Sequence, residues 1–351
     1  MNGIQKLKTA YPWIQTPVIV GAPMRLISLA DLAVQISRAG GIGFIGGGTE
    51  PDLEEHLIRA KSLLADSPLP SRSNTLPIGV GFINWGAPLS SSIPIIKKYR
   101  PAAAWFFAPR SIASLIEWTM DTRAASPETE IWVQVGSVSE ALSVVRDVQP
   151  NVLVVQGSDA GGHGLAQGAG VISLVPEVSD AVAALVAKEG KNAPIIIAAG
   201  GIVEGRGVAA ALVLGASGVV MGTRFLASKE AKIAKGYQDE VVRAKDGGQT
   251  TVRTKVYDNL RGTTGWADTY NGRGIINKSY TDAVAGLNED ENKKLYNEEV
   301  SKGDAGWGVD GRLTTYAGTG VGLVTDVMSA AEIVTEVRER TRHVLERLNG
   351  Q

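Results

Sequence analysis

Eight short apolar runs, separated by helical patterns, occupy about the first 225 residues of the chain. The runs are rich in valine and isoleucine, which is typical of parallel strands buried on both faces. They lie at Pro17–Met24, Gly41–Gly47, Leu76–Ile83, Ala102–Ala108, Ile131–Gly136, Val152–Gln156, Pro194–Ala199 and Gly218–Gly222. The patterns between them predict helices at Leu29–Arg38, Leu53–Leu64, Ser91–Tyr99, Ser111–Met120, Ser139–Asp147, Val178–Lys188 and Glu204–Leu214. Ser28, Ser111 and Ser137 stand where N-cap residues are expected.

Eight strand-then-helix units predict an α/β fold of the (β/α)₈ or TIM-barrel type, which we assign to residues 1–228. A doubly wound open sheet is the alternative, because periodicity counts the units but does not show whether the sheet closes.

The composition and hydrophobic pattern of the sequence change after residue 228. Strand-like runs vanish, charge rises and aromatic residues are scattered through residues 229–316, which predicts a helical insertion or lid over the barrel mouth. Its candidates for contact with a bound ligand are Tyr257, Trp266, Tyr270 and Trp307. For residues 317–351 we predict a glycine loop and a long amphipathic helix, Ala330–Leu348, that completes the outer ring of the barrel.

Composition excludes several classes of protein. The chain carries 35 basic and 36 acidic residues, so nothing in its charge favours nucleic acid or an anionic membrane surface. It has no cysteine, which excludes disulfides, thiolate nucleophiles and cysteine-ligated metals, and its three scattered histidines predict no metal site. No stretch approaches the ~20 apolar residues that span a bilayer. We expect a cytoplasmic protein, and a homodimer is left open.

One histidine follows the sixth predicted strand directly, in the segment Ser158-Asp159-Ala160-Gly161-Gly162-His163-Gly164. An imidazole titrates near neutrality, and the glycines around it let a flat ligand approach the backbone. We therefore take His163 as the candidate acid or base; the alternative is a loop histidine bonded to the backbone. Asp159 could orient the loop or the imidazole, or cap a helix. His56 and His343 lie in helical patterns, and we interpret both as surface residues.

Two glycine-centred turns end the seventh and eighth predicted strands, at Gly200-Gly201 and Gly222-Thr223. Free backbone N–H groups in such turns, and at the start of a helix near Glu204, can bind a phosphate. In barrels of this type the seventh and eighth units often hold a cofactor phosphate. Tight turns alone are the other explanation for the glycines.

Further candidates could contact a heterocycle. Met24 ends the first strand after Ala22-Pro23, although it could equally be a core methionine. Asn84-Trp85 and Gln134 could donate hydrogen bonds, and an amide within an apolar strand needs a partner. Asn84 could also be only a turn residue.

These elements together resemble the nitronate monooxygenase family, formerly the 2-nitropropane dioxygenases, which are FMN-dependent (β/α)₈ barrels. The matching segments are Ala22–Met24, Ser158–Gly164, Ala199–Ile202 and Met221–Phe225, with a weaker likeness at Gly318–Gly322. The resemblance implies that His163 is the catalytic residue. It also implies that FMN is bound by Ala22, Pro23, Met24, Gln134, Asp159, Gly162, Gly200, Gly201, Gly222 and Thr223. Arg25 and Gln134 depart from the family pattern, in which a small residue and, in some members, a lysine stand at these positions.

The implied activity is FMN-dependent oxidation of alkyl nitronates or nitroalkanes by dioxygen to carbonyl compounds and nitrite. His163 would remove the α-proton of a nitroalkane, whereas it would only position a preformed nitronate. The alternative is an FMN-dependent NAD(P)H oxidoreductase acting on a quinone or an enoyl thioester, because such reductases share the Ala-Gly-Gly-His loop. A third class is a non-catalytic barrel that binds a phosphate-bearing ligand.

Overall fold

The computed structural model describes residues 2–49 and 52–350, so the outer limits of the predicted first and last segments, Met1 and Gln351, lie outside the described residues. Within these ranges the chain forms eleven strands: β1 (Ile19–Gly21), β2 (Phe44–Gly48), β3 (Leu76–Ile83), β4 (Pro101–Phe107), β5 (Glu130–Val135), β6 (Val152–Gln156), β7 (Gly162–Leu165), β8 (Ile195–Ala199), β9 (Val219–Met221), β10 (Thr251–Thr254) and β11 (Tyr270–Ile275).

The same ranges contain fifteen α-helices: α1 (Gly3–Ala10), α2 (Ala30–Arg38), α3 (Leu53–Asp66), α4 (Leu89–Tyr99), α5 (Ile112–Ala125), α6 (Val138–Asp147), α7 (Val171–Glu189), α8 (Gly205–Val213), α9 (Thr223–Leu226), α10 (Lys235–Arg243), α11 (Gly247–Thr250), α12 (Val256–Arg261), α13 (Lys278–Val284), α14 (Glu289–Val300) and α15 (Ala330–Asn349). Two short 3₁₀ helices lie at Gly303–Gly306 and Thr319–Leu323.

Eight parallel strands form the barrel, in the order β1-β9-β8-β6-β5-β4-β3-β2. The two ends of this sheet meet, because the Gly21 N–H donates to the Ile42 carbonyl at 3.0 Å and the Ile42 N–H donates to the Ile19 carbonyl at 3.0 Å. All eight predicted strands are confirmed. The closure rules out the doubly wound open sheet.

Alternate residues along the barrel strands serve two different cores. On β6, Val152 and Val154 pack inside the barrel with Trp132. Leu153 and Val155, between them, pack outward against the surrounding helices. Burial of each side chain of this kind contributes roughly 1.5–3 kcal/mol to the free energy of unfolding. Burial on both faces therefore explains why the strands are continuous apolar runs.

Aromatic side chains fill the barrel interior towards the amino-terminal ends of the strands. The Trp132 Nε1–H donates to the hydroxyl oxygen of Tyr11, which follows α1, at 2.7 Å. The Trp105 ring stacks on Trp132, with centroids 5.8 Å apart. This packing leaves the carboxyl-terminal end of the barrel, where the βα loops converge, for binding and chemistry.

Two of the three expected helix caps are confirmed. The hydroxyls of Ser111 and Ser137 accept from the backbone N–H groups of Ser114 and Glu140. The prediction for Ser28 is wrong: its hydroxyl accepts from the Met24 N–H at 2.8 Å and so stabilises the loop after β1.

Residues 229–316, which we call the lid segment, are only partly helical as predicted. Helices α10 to α14 are present, but β10 and β11 also lie here, and β11 pairs antiparallel with β7. His163 lies on β7, opposite Gly272 of β11, and not on the flexible loop that the glycines suggested. The domain limits at 228 and 316 stay predictions.

The long carboxy-terminal helix is confirmed. α15 packs against α8 and α2 and buries Ile333, Val334 and Val337, which completes the outer ring of helices. Among the helices of the described residues, not one combines the length and apolarity needed to cross a membrane.

Candidate active site

A cavity of about 1210 Å³ lies at the carboxyl ends of the barrel strands, beneath the lid segment. A site for one drug-sized ligand occupies roughly 300–1,000 Å³, so this space can hold a cofactor and a substrate together. It is lined by ten of the eleven residues that the sequence assigns to the site: Ala22, Pro23, Met24, Gln134, Gly162, His163, Gly200, Gly201, Gly222 and Thr223.

His163 is held by a carboxylate from the lid segment. Its Nε2 lies 2.8 Å from Asp258 Oδ1 and 3.0 Å from Oδ2. The two side chains are only 13% and 5% exposed. Within the described residues, the other ring nitrogen, Nδ1, makes no hydrogen bond. The imidazole is therefore fixed at one nitrogen and available at the other.

Two hydroxyl groups complete the surroundings of Asp258. Thr263 Oγ1 donates to Oδ1 at 2.9 Å, and the Tyr316 hydroxyl donates to the same oxygen at 3.1 Å. Burial, followed by the Asp258 charge, raises the pKa of the Tyr316 phenol well above its ordinary value. The phenol is therefore protonated and acts as a donor.

Aromatic rings form the wall beside the histidine. The Trp266 ring stacks on His163 with centroids 3.8 Å apart and an angle of 6° between the planes. Trp85 and Phe107 pack against Trp266, at centroid distances of 5.6 and 5.8 Å. Of the four lid aromatics that the sequence offered, Trp266 and Trp307 line the cavity. Tyr257 is fully buried elsewhere, where its hydroxyl donates to the Ile275 carbonyl.

Two half-buried arginines brace the segment that precedes His163. Arg253 donates to the carbonyls of Ser158 and Ala160 at 3.2 and 2.8 Å, and Arg273 donates to the Ser158 carbonyl at 3.2 Å. Burial, followed by the neighbouring Arg273, lowers the pKa of Arg253 to about 10. The Asp159 carboxylate is the acidic group that favours the charged form of both guanidinium groups. One carboxylate beside two guanidinium groups leaves net positive charge behind this segment.

The turn after β8 presents two unpaired backbone donors. Gly200 and Gly201 have φ values of +108° and +73°, which side chains other than glycine rarely adopt. A Cβ at Gly200 would lie 2.8 Å from the Gly157 carbonyl oxygen. In the part of the chain that the structure describes, neither N–H makes a hydrogen bond, so both can serve an anion at the cavity wall.

The glycine loop at residues 318–322 is attached to the turn after β9 and to the segment after β6. The Gly318 N–H donates to Thr223 Oγ1 at 2.9 Å, and Thr319 Oγ1 donates to Asp159 Oδ1 at 3.1 Å. Asp159 is the one predicted site residue that does not line the described cavity. Because its carboxylate is bonded to Thr319, it positions the loop from behind the cavity wall.

The helix near Glu204 has an acceptor of its own at its start. Glu204 is the N-cap of α8, and its own carboxylate accepts from the Gly207 N–H at 3.3 Å. A carboxylate in this position opposes a second anion. The glycine turns are thus the better place for a phosphate.

Gln134 faces the cavity with its donor end. Its Oε1 accepts from the Trp105 Nε1–H at 3.2 Å, which fixes the orientation of the amide because an indole can only donate. The amide nitrogen has no partner among the described residues. Asn84, by contrast, is buried and accepts from the Phe107 N–H, so it does not reach the described cavity, while Trp85 does.

The sequence missed the residues of the lid segment that complete the site. Asp258, Thr263 and Tyr316 come close to His163 only because β11 pairs with β7. Glycine at position 272 is the one local signal, since a Cβ there would lie 2.7 Å from the Tyr316 ring.

Comparison with known proteins assigns the family. Residues 122–339 match the family model "Nitronate monooxygenase". The chain is 50% identical to the nitronate monooxygenase npaC of Metarhizium robertsii, covering 97% of this chain and 95% of the relative. It is 37% identical to the nitronate monooxygenase of Neurospora crassa, covering 99% and 95%. A nitroalkane oxidase structure from Streptomyces ansochromogenes shares the fold, with a TM-score of 0.72, 19% identity and coverage of 97% and 99%.

The family model matches more than half of the chain, and two relatives match it over nearly their full length, so the chain belongs to the nitronate monooxygenase family.

Proposed function

We propose that this enzyme binds FMN at the barrel mouth and oxidises alkyl nitronates, and the nitroalkanes from which they form, with dioxygen to carbonyl compounds and nitrite. The observation that carries the proposal is the His163–Asp258 pair, whose free Nδ1 lines a cavity that also contains an anion-binding turn. Membership of a flavin-dependent family supports it.

The residues present fit FMN. The unpaired N–H groups of Gly200 and Gly201 would bind its phosphate, with Arg253 and Arg273 supplying positive charge behind the neighbouring segment of residues 158–162. At Gly222 a Cβ would meet only Ala22 and Met24, at 3.6 and 3.9 Å, so the glycine leaves room that the protein does not itself fill. The free amide N–H₂ of Gln134 would donate to a ring acceptor.

When bound, FMN would supply the electron acceptor through which dioxygen oxidises the substrate carbon. The protein's own part is proton transfer and positioning. His163 Nδ1 takes the α-proton of a nitroalkane, and the resulting imidazolium holds the nitronate by charge. For a preformed nitronate only the positioning remains.

The aromatic wall sets where the substrate lies. Trp266, Trp85 and Phe107 offer an apolar surface beside His163, on which the alkyl group can pack while the nitro group faces the histidine. These rings also keep water from the reacting carbon.

Anaerobic addition of propane-2-nitronate to the purified protein tests the function. We expect a yellow protein whose visible flavin absorbance is lost when nitronate is added. A yellow protein that ignores nitronate and is bleached by NAD(P)H would support the reductase, and a colourless protein with no affinity for FMN would contradict the cofactor site. Cytoplasmic location and a homodimer stay proposals that cell fractionation and light scattering can test.

A further inference from the structure

We propose that Asp258 is a positioning residue that fixes the tautomer of His163, so that Nδ1 is always the basic nitrogen presented to the nitroalkane. This inference rests on the proposed function, because it assigns a role within the same site. The histidine follows the barrel strand β6, whereas the carboxylate that positions it belongs to the lid segment.

The contact geometry determines the tautomer. Both carboxylate oxygens of Asp258 lie within 3.0 Å of Nε2, and a carboxylate can only accept. The proton of a neutral imidazole must therefore sit on Nε2, and Nδ1 carries the lone pair. The opposite tautomer would place two acceptors against each other in a site that is nearly closed to water.

Asp258 is held in place by its partners. The hydroxyls of Thr263 and Tyr316 both donate to Oδ1, so three donors surround one buried carboxylate. Arg261, whose guanidinium lies 5.4 Å from the Tyr316 ring centroid, adds positive charge on the outer side. When Nδ1 takes a proton, the histidine becomes the cationic partner of this carboxylate.

The orientation of the ring is fixed as well. Trp266 stacks on one face of the imidazole, and the backbone of His163 is paired with Gly272 of β11. The strand β7, which holds the histidine, pairs with β11, and β11 pairs with β10. Helix α12, which supplies Asp258, follows β10 directly in the chain. Without the docked lid segment, no carboxylate would fix the tautomer of His163.

The first test compares two substrates of the same carbon skeleton, 1-nitropropane and propyl-1-nitronate. We expect Asp258→Asn to lower kcat for 1-nitropropane by about 10- to 100-fold, part of the ~10²–10⁴ that general base catalysis supplies. An asparagine amide can donate to Nε2 and so permits the unproductive tautomer. Nitronate oxidation, which needs no proton removal, should stay within about threefold, and Asp258→Glu should recover part of the lost rate.

A matched control is available in the same segment. Asp268 is fully exposed and its contact is with Lys255, so Asp268→Asn should leave both rates unchanged. FMN content and melting temperature of each variant show whether it is folded and loaded. If Asp258→Asn does not fold, Tyr316→Phe and Thr263→Val weaken the same carboxylate with a smaller change.

Nitrogen-15 NMR of the imidazole rings gives a readout that does not depend on turnover. The chain has only three histidines, and His56 and His343 serve as internal references for the signal that disappears in His163→Asn. We expect a protonated Nε2 and an unprotonated Nδ1 for His163 in the wild type, and a mixture of tautomers in Asp258→Asn.

The outcomes distinguish failure of the positioning role of Asp258 from failure of the proposed function. A wild type with a protonated Nδ1, or an Asp258→Asn variant that loses nitroalkane and nitronate turnover equally, would overturn the positioning role. Absence of nitronate turnover in the FMN-loaded wild type would overturn the proposed function instead, whereas the tautomer could still be determined.

Discussion

The barrel and the lid segment contribute to one site but are built in opposite ways. Barrel strands such as β6 are buried on both faces by consecutive apolar residues, and each strand pairs with neighbours of similar composition. The lid segment has small cores, one of them formed by Leu260, Tyr296 and Leu313, and its strand β11 pairs with the distant strand β7. The barrel supplies a rigid cradle, while the lid segment supplies the partner of the base.

This difference implies different local stabilities. Segments with few buried apolar contacts open at lower free energy than a large shared core does. We therefore expect substitutions in the lid segment to lower turnover before they unfold the protein, and substitutions in the barrel to destabilise the whole fold.

The largest effect should come from His163→Asn. Loss of the base should lower turnover of 1-nitropropane by about 10²-fold or more, whereas FMN binding and nitronate turnover are kept. Oxygen consumption with both substrates measures this. Equal losses on both would show that the histidine does not divide the two reactions.

Leucine truncations in the two regions test their independence. Leu153→Ala in the barrel and Leu260→Ala in the lid segment each remove a buried side chain, at a cost of about 2–5 kcal/mol. We expect the first to lower the global melting temperature. The second should mainly raise hydrogen exchange in the lid segment and slow nitroalkane turnover. Equal falls in melting temperature would mean that lid and barrel unfold as one unit.

Gly222→Val tests the proposed FMN site, which we assign to the barrel alone. The backbone of Gly222 has φ −107°, so the variant should fold, but its side chain would enter the space assigned to FMN. We expect FMN affinity to fall on the order of tenfold, as overpacking costs ~1–3 kcal/mol. Gly248→Val, at an open position of the lid segment, is the control in the same fluorescence titration. Unchanged FMN affinity in Gly222→Val would place the cofactor elsewhere.

The smallest effect is expected for Thr263→Val, which removes one neutral hydrogen bond from Asp258. Such a bond contributes about 0.5–1.5 kcal/mol, so nitroalkane turnover should fall about threefold. Thr269→Val, at an exposed position of the same segment, provides the comparison. No difference between the two variants in kcat would remove Thr263 from the network.

The same contrast explains what the sequence could predict. Barrel strands and helices follow from local periodicity, as does the position of His163 after β6. The helix predicted from Val178 begins at Val171 and contains Pro176. β10 and β11 carry no apolar alternation, and β11 includes two glycines, so their strand structure comes from pairing with each other and with β7. No local pattern distinguishes Asp258 from the other acidic residues of the lid segment.

A double-mutant cycle tests most directly whether barrel and lid segment together form the base. Nitroalkane turnover would be measured in the wild type, His163→Asn, Asp258→Asn and the double variant, each with full FMN content. Residues that act as one unit are not additive, so we expect the double variant to lie within about twofold of His163→Asn. Losses that multiply would contradict the account, because Asp258 would then act independently of His163.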